Sequence, residues 1–356
     1  MSRFLSARHA ALTPYTPGEQ PRDMQYVKLN TNESPYLPSE GVARAIRGEI
    51  PWLQLYNDPD CCALRAAAAE YYGVGPENLL PVNGSDDALL FAFIAFGDAE
   101  RPMAFPDLTY GFYSVYADFL HIPAHVIPLK EDFTIDPEDY VGLGENIVFA
   151  NPNAPTGRLL GTEAIERIAA SNPDRVVIVD EAYINFGGES CVPLIKKYEN
   201  LLVVQTFSKA RSMAGARLGF AIGSEALIGD MNTVKYATDP YNVNRMTQAA
   251  GIAAFREDEY YMANCRAIMK TREHTSDALR AMGFDVIPSM ANFILVRGPV
   301  PGEELYRELR RRGVLVRWFD QPRIRDRIRV SIGSPEQMDA FLEAVQAILT
   351  ERSATK

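Results

Sequence analysis

The sequence predicts an α/β fold in which a large domain with a mostly parallel seven-stranded sheet carries a smaller α+β domain. Three observations support this. Seven short apolar runs between residues 79 and 222 alternate with helix-length segments or turns, the pattern of a sheet covered on both faces. Residues able to do chemistry repeatedly follow the ends of those runs, where open α/β sheets collect ligands. A length of 356 residues suits about two domains at roughly 150 residues each.

In order, the expected strands are 79–82, 102–105, 125–129, 146–150, 176–179, 201–205 and 218–222. Each is short and mostly apolar, as strands buried on both faces must be. Beyond about Tyr241 the texture changes. Residues 245–281 read as one or two long helices, 285–296, 314–317 and 327–332 as strands, and 302–312 and 335–349 as helices. The expected division is an N-terminal arm (1–35) joining the small domain, a large domain (36–245) and a small C-terminal α+β domain (246–356), with a cleft between them.

The 36 Lys and Arg against 46 Asp and Glu give a net charge of −10. That argues against binding nucleic acid or an anionic membrane, so small anions must be held by local arginines. Cys61, Cys62, Cys191 and Cys265 show no metal-ligand spacing and read as idle thiols, and no metal site is expected. No signal-peptide core opens the sequence, and no apolar run reaches the about 18 residues of a membrane span. A cytoplasmic protein is expected.

The segment 206–217 is the most informative. It sets Lys209 beside Thr206 and Ser208, with Arg217 eight positions on. Ahead of it the run 176–179 leads into Asp180-Glu181-Ala182-Tyr183. Phe207 and Ala210 are poor surface residues, so Lys209 needs a reason to lie among them, and covalent work by a desolvated amine supplies one. Upstream, Asn83-Gly84-Ser85-Asp86-Asp87 passes from strand to turn to helix, with Ser85 as a suitable N-cap and free N–H groups that favour a phosphate. A lysine, an aspartate, a tyrosine, hydroxyls and an arginine form the set that holds pyridoxal phosphate. The bland alternatives are a solvated lysine, a turn aspartate and a structural tyrosine.

These motifs resemble the class II pyridoxal-phosphate-dependent aminotransferases of fold type I, and among them the histidinol-phosphate aminotransferases. The resemblance runs from Tyr15 to Arg329. It implies that Lys209 bonds the cofactor, Asp180 salt-bridges its ring nitrogen and Tyr183 reaches O3′. Gly84, Ser85, Asp86, Thr206, Ser208 and Arg217 would form the phosphate cup. Tyr110, in 105–113, resembles the tyrosine stacked on the cofactor ring, whereas core packing suits Phe112 or Tyr113 better. Tyr56, in Tyr56-Asn57-Asp58-Pro59, resembles the tyrosine that reaches the phosphate of a neighbouring subunit, implying a homodimer with shared sites. Tyr15, Asn32, Arg317 and Arg329 match substrate-binding positions, although both arginines lie in a generally basic stretch.

One departure stands out. Where the family places Asn directly before Pro-Thr-Gly, this sequence has Ala154. Either Asn153 serves O3′ by a local shift or Tyr183 serves alone. The second is expected, with a raised pH midpoint for the cofactor chromophore. The resemblance implies amino transfer between L-histidinol phosphate and 2-oxoglutarate in histidine biosynthesis. An aromatic amino-acid aminotransferase and a threonine-phosphate decarboxylase share the core. A non-enzymatic cofactor-sensing module would normally carry a DNA-binding domain, for which this acidic chain is expected to leave no room outside the core.

Overall fold

The structure is a computed structural model that describes residues 3–9 and 12–354. A short strand β1 (Val27–Lys28) precedes helices α1 (Glu40–Glu49) and α2 (Cys62–Tyr72). The large sheet then begins with β2 (Leu79–Val82), α3 (Ser85–Phe96), β3 (Met103–Pro106), α4 (Phe112–Leu120) and β4 (Ala124–Ile127). It continues through β5 (Asn146–Ala150), α5 (Thr162–Ser171), β6 (Val177–Asp180), β7 (Leu201–Thr206) and β8 (Gly219–Ile222). The strand order is β2-β8-β7-β6-β5-β3-β4, and only β8 runs antiparallel to its neighbours.

Every residue of β5, β6 and β7 is buried, which is why the sequence shows these strands as unbroken apolar runs. Alternate residues serve opposite faces. Val177, Val179, Leu201 and Val203 join the core with α2 and α5, and Ile178, Leu202 and Val204 join the core with α3 and α4.

Helix α6 (Glu225–Thr238), α7 (Arg245–Arg256) and α8 (Asp258–Ala281) follow. Side chains of Ser224 and Asn244 cap α6 and α7 by accepting from Leu227 N and Thr247 N. The remaining elements are β9 (Asp285–Val286), β10 (Phe293–Arg297), α9 (Gly302–Arg311), β11 (Val314–Leu315), β12 (Arg317–Trp318), β13 (Arg327–Ser331) and α10 (Pro335–Ala354). They build an antiparallel sheet in the order β12-β13-β10-β9, while β1 pairs with β11 and so ties the N-terminal segment to this side.

Three expectations need correction. The strand expected over 285–296 is a hairpin: β9 pairs antiparallel with β10, Ser289 Oγ holds the turn by donating to Phe293 O at 2.6 Å and accepting from Ala291 N, and Met290 N in that turn donates to Gly157 O of the large unit. The strand expected over 314–317 divides between two sheets. The expected boundary after residue 245 also falls too early. Ala250, Ala254, Phe255 and Tyr261 pack into the large core, Cys265 and Ile268 pack into the small one, and Met262 touches both. The handover lies inside α8. Among the described residues no helix is long and apolar enough to cross a membrane.

Candidate active site

A cavity opens beyond the C-terminal ends of β5, β6 and β7, walled by Asp180, Tyr183, Thr206, Ser208, Lys209 and Arg217. Ser85, Asp86 and Tyr110 close one side, and Thr31 and Glu33 from the N-terminal segment close another.

Lys209 follows β7 by three residues. Phe207 anchors the turn by packing on Phe220 and Phe255 at centroid distances of 5.6 and 5.0 Å. The hydroxyl of Thr206 donates to Ser208 Oγ (3.0 Å) and accepts from Ser208 N (3.2 Å), so the turn is rigid on its polar side too. Lys209 Nζ donates to the carbonyl of Thr31 at 3.1 Å. Burial, then the positive charge of Arg329, lowers its pKa to about 8.

Asp180 ends β6. Burial raises its pKa to about 7, against the hydroxyl of Tyr113, which donates to Oδ2 at 3.0 Å, and Ala182 N, which donates to Oδ1 at 3.2 Å. Tyr183 lies edge-on to Phe293 at 5.0 Å, and its oxygen accepts from Asn32 Nδ2 at 3.1 Å. Burial raises the phenol pKa, whereas Arg329 and the Asn32 bond pull it down.

The start of α3 forms the opposite wall. Its N-cap is Gly84, not Ser85 as the sequence suggested, and no side chain caps it. Gly84 has φ +85, a backbone conformation that favours glycine, and a Cβ there would sit 2.5 Å from Arg217 Nη2, so a side chain would also push the guanidinium from its place. Arg217, itself at φ 55, places Nη2 2.8 Å from Asp86 Oδ2. Tyr110 OH donates to Asp86 Oδ1 at 2.7 Å, linking ring and arginine through one carboxylate.

Arg317 and Arg329 are direct neighbours across β12 and β13. Arg329 Nη2 donates to Asn30 O at 3.1 Å, its guanidinium lies over Phe293 and Phe319, and its buried Nε has no partner. Burial lowers its pKa. Arg317 donates to Thr16 O and Pro17 O, which keeps the arm near the cavity. Tyr15 of that arm stacks on Phe112 at 4.3 Å.

Of the expected site residues, Gly84, Tyr15, Arg317 and Arg329 stand outside the cavity wall, and so do Asn153, Asn32 and Tyr56, whose side chains are engaged otherwise. Asn153 is buried outside the cavity, with Nδ2 donating to Leu108 O and Thr156 Oγ1 and Oδ1 accepting from Thr109; it braces a loop, and Ala154 is what faces the cavity. Asn32, expected on substrate, is spent within the protein: it has φ 56, binds Tyr183, and its Oδ1 accepts from Ser331 Oγ at 2.9 Å. Tyr56 is 80% exposed and stacks on Tyr241, away from this chain's cavity. Conversely, sequence reasoning assigned Tyr113 to packing and missed its bond to Asp180. The available signal was its place in the first turn of α4, three residues after Tyr110, whose carbonyl accepts from Tyr113 N.

Residues 24–345 match the model of the family described as aminotransferase class I and II. The chain is 45% identical over 348 residues to a histidinol-phosphate aminotransferase of Clostridium acetobutylicum, covering 97% of this chain and 99% of that protein. It is 47% identical over 355 residues to one of Aromatoleum aromaticum, covering 98% and 100%. In fold it is similar to the histidinol-phosphate aminotransferase of Sinorhizobium meliloti solved with pyridoxal 5′-phosphate, with a TM-score of 0.82, 22% identity and coverage of 91% and 92%.

Proposed function

This chain belongs to the class I and II aminotransferases and, within them, to the histidinol-phosphate aminotransferases, and from that premise we propose that it moves an amino group between L-histidinol phosphate and 2-oxoglutarate with pyridoxal phosphate as cofactor. The observation that carries this reading is the convergence of Lys209, Asp180 and the Arg217–α3 wall on one cavity. The residues suit the cofactor at each of its ends. A depressed lysine pKa suits an amine that must be neutral to attack. A buried carboxylate suits a ring cation, and a helix start with a glycine-tight approach of Arg217 suits a phosphate.

When bound, the cofactor supplies an aldehyde for the amine and a ring that accepts the electron pair left at the substrate Cα. The chain's own residues do the rest. Lys209 Nζ would bond the aldehyde carbon and, once displaced from it by the substrate amine, would be the free base that takes the proton from Cα and returns it. Asp180 holds the proton on the ring nitrogen. Tyr183 OH, supported by Asn32, donates at O3′. Gly84, Ser85, Asp86, Thr206, Ser208 and Arg217 hold the phosphate end, and Tyr110 covers a ring face. Arg329 and Arg317 take the substrate phosphate in one half-reaction and the oxo-acid carboxylate in the other, using their planar forks. Tyr15 closes on the same group from the arm.

The working unit in this reading is a homodimer. Tyr56 stands among Ile50, Trp52, Leu53 and Leu55, each more than half exposed, and this apolar stretch suits a partner surface that brings Tyr56 to the other site. The cytoplasm suits four free cysteines, three of them buried.

The test is to mix the cofactor-loaded protein with L-histidinol phosphate and follow its visible absorbance, with phenylalanine, glutamate and O-phosphothreonine in parallel. The expected outcome is rapid loss of the visible band with histidinol phosphate, restored by 2-oxoglutarate. A response to phenylalanine alone would move the substrate class, and failure to form any visible band would end the reading.

A further inference from the structure

The stacking residue Tyr110 ends a four-residue segment, 107–110, that leaves β3, and every side chain of this segment is tied to a different place. Tyr110 reaches Asp86 in α3. Thr109 donates to Asn153 Oδ1, and Asn153 returns a bond to Leu108 O. Leu108 packs in a small core with Leu129 and Phe133 of the large unit and Ile287, Leu295 and Ile324 of the small one. Asp107 Oδ1 accepts from Leu108 N and Leu129 N, both at 2.9 Å.

The fourth tie crosses between the two units. Arg323, in the loop between β12 and β13, places Nη1 2.7 Å from Asp107 Oδ2. Its Nη2 donates to Leu129 O at 3.0 Å and Lys130 O at 2.8 Å. Its guanidinium lies 5.6 Å from the ring of Phe133, which Arg327 also approaches, at 5.2 Å. One guanidinium thus bridges three acceptors on two neighbouring loops of the large unit, a geometry that an ammonium cannot reproduce.

We propose that Arg323 is a positioning residue for the reaction: from the small unit it fixes the 107–109 segment and thereby the ring of Tyr110 over the cofactor. The proposal rests on the reading of the cavity as a pyridoxal phosphate site. Because the tie joins the two units, the tilt of the stacking ring depends on how the small unit is seated. Asp107 carries this coupling together with Leu108, which packs against residues of both units.

The experiment compares Arg323→Ala, Arg323→Lys and Asp107→Asn with the parent, alone and in a Tyr110→Leu background. It reads the cofactor dissociation constant, the circular dichroism of the bound cofactor, kcat against KM, and the melting temperature of the cofactor-free protein. Arg323→Ala is expected to weaken cofactor binding about tenfold, the size of a moderate coupling between residues sharing one network. It should also shrink the visible dichroism and lower kcat more than it raises KM. Arg323→Lys should recover part of each effect, and with Tyr110→Leu in place Arg323→Ala should add little.

Unchanged cofactor affinity and dichroism in Arg323→Ala, with only a lower melting temperature, would reduce Arg323 to a structural tie and overturn the proposal. Full additivity with Tyr110→Leu would do the same. If Arg323→Ala fails to fold, Asp107→Asn decides, because it keeps the Oδ1 acceptor for Leu108 N and Leu129 N while replacing the Oδ2 acceptor that faces Arg323 with an N–H donor. A parent protein that binds no cofactor would instead sink the reading of the site itself.

Discussion

Tyr113 offers the sharpest test of the electrostatics at Asp180. Its ring is fully buried on α4 against Phe93, Phe105 and Tyr110, so Tyr113→Phe keeps the packing and deletes one oxygen. That oxygen donates to Asp180 Oδ2, whose pKa burial has raised to about 7. A hydrogen bond to an ionised acceptor is worth about 1.5–3 kcal/mol, against about 0.5–1.5 to a neutral one. The difference, about 1–1.5 kcal/mol, corresponds to roughly one pH unit.

Tyr113→Phe should therefore move the Asp180 titration of the cofactor-free protein from about 7 toward about 8. The sign for stability follows. The folded pKa lies above the ordinary aspartate value of 3.8, so Asp180 favours the folded state fully below that value and loses this contribution as pH rises through about 7. In Tyr113→Phe the loss continues about one unit further, so the substitution costs more at alkaline than at acid pH. The assay is infrared titration of the protonated carboxyl band, with Asp180→Asn as the blank, alongside melting temperatures across the same range. An Asp180 titration that is identical in both proteins, or a cost that is equal at acid and alkaline pH, would refute the argument.

Further outcomes are expected. In the cofactor-free protein the rate of Lys209 labelling by a small aldehyde should climb with pH through about 8, because burial and Arg329 depress its pKa; Lys209→Ala should abolish labelling, seen by peptide mass. Asn32→Ala should raise the pH midpoint of the bound cofactor's chromophore by about one unit, since Tyr183 loses its amide donor, while Ala154→Asn should lower it; an unmoved midpoint in both would show that Tyr183 does not face the chromophore. Arg329→Gln should raise KM for both substrates about 100-fold and spare cofactor affinity, as removal of one fork from a charged pair predicts; equal weakening of cofactor binding would count against its assignment to substrate.

The strands of the large sheet were legible because burial on both faces leaves a continuous apolar run, as in 201–205, that needs no knowledge of the neighbours. Lys209, Asp180 and Arg217 were legible for a related reason: each stands within a few residues of a strand end. What the sequence concealed depends on distant partners. Residues 285–296 read as one strand, yet the chain reverses after Pro288 so that β9 pairs with β10, and only the bond from Met290 N to Gly157 O in that turn depends on a distant partner. Asn32 reads as a binding residue until Tyr183, 151 positions away, takes its amide. Sequence alone leaves Asn153 open as a stand-in for the residue missing at Ala154, the alternative to Tyr183 serving alone; its loop turns the amide onto Leu108 O. Tyr113 reads as core, which it is, while its hydroxyl serves a carboxylate 67 positions on. Side chains that touch the chemistry through another residue leave little trace in spacing.

Lys209, Asp180 and Arg329 share one condition: burial is the largest influence on each, and it disfavours the charged form. Their hydrogen-bond partners are neutral dipoles, namely Thr31 O for the lysine, the Tyr113 hydroxyl and Ala182 N for the aspartate, and Asn30 O for the arginine. Arg217 differs, being part exposed and already paired with Asp86. A ring cation beside Asp180 and a substrate anion beside Arg329 would supply the opposite charges that these dipoles only approximate. The cavity is thus a place where the fold accepts instability that ligands relieve. Asp180→Asn tests this most directly. Ala182 N can keep the amide oxygen while the Tyr113 hydroxyl turns to accept from the amide nitrogen. The cofactor-free variant should then be more stable than the parent above the Asp180 pKa of about 7, by an amount approaching the roughly 4 kcal/mol implied by a shift from 3.8, and no more stable than the parent at acid pH, where Asp180 is protonated. The same variant should lose transamination, because an amide cannot hold a proton on the ring nitrogen. A cofactor-free variant less stable than the parent at alkaline pH would mean that Asp180 is a structural carboxylate, and the link between strain and catalysis at this site would fall.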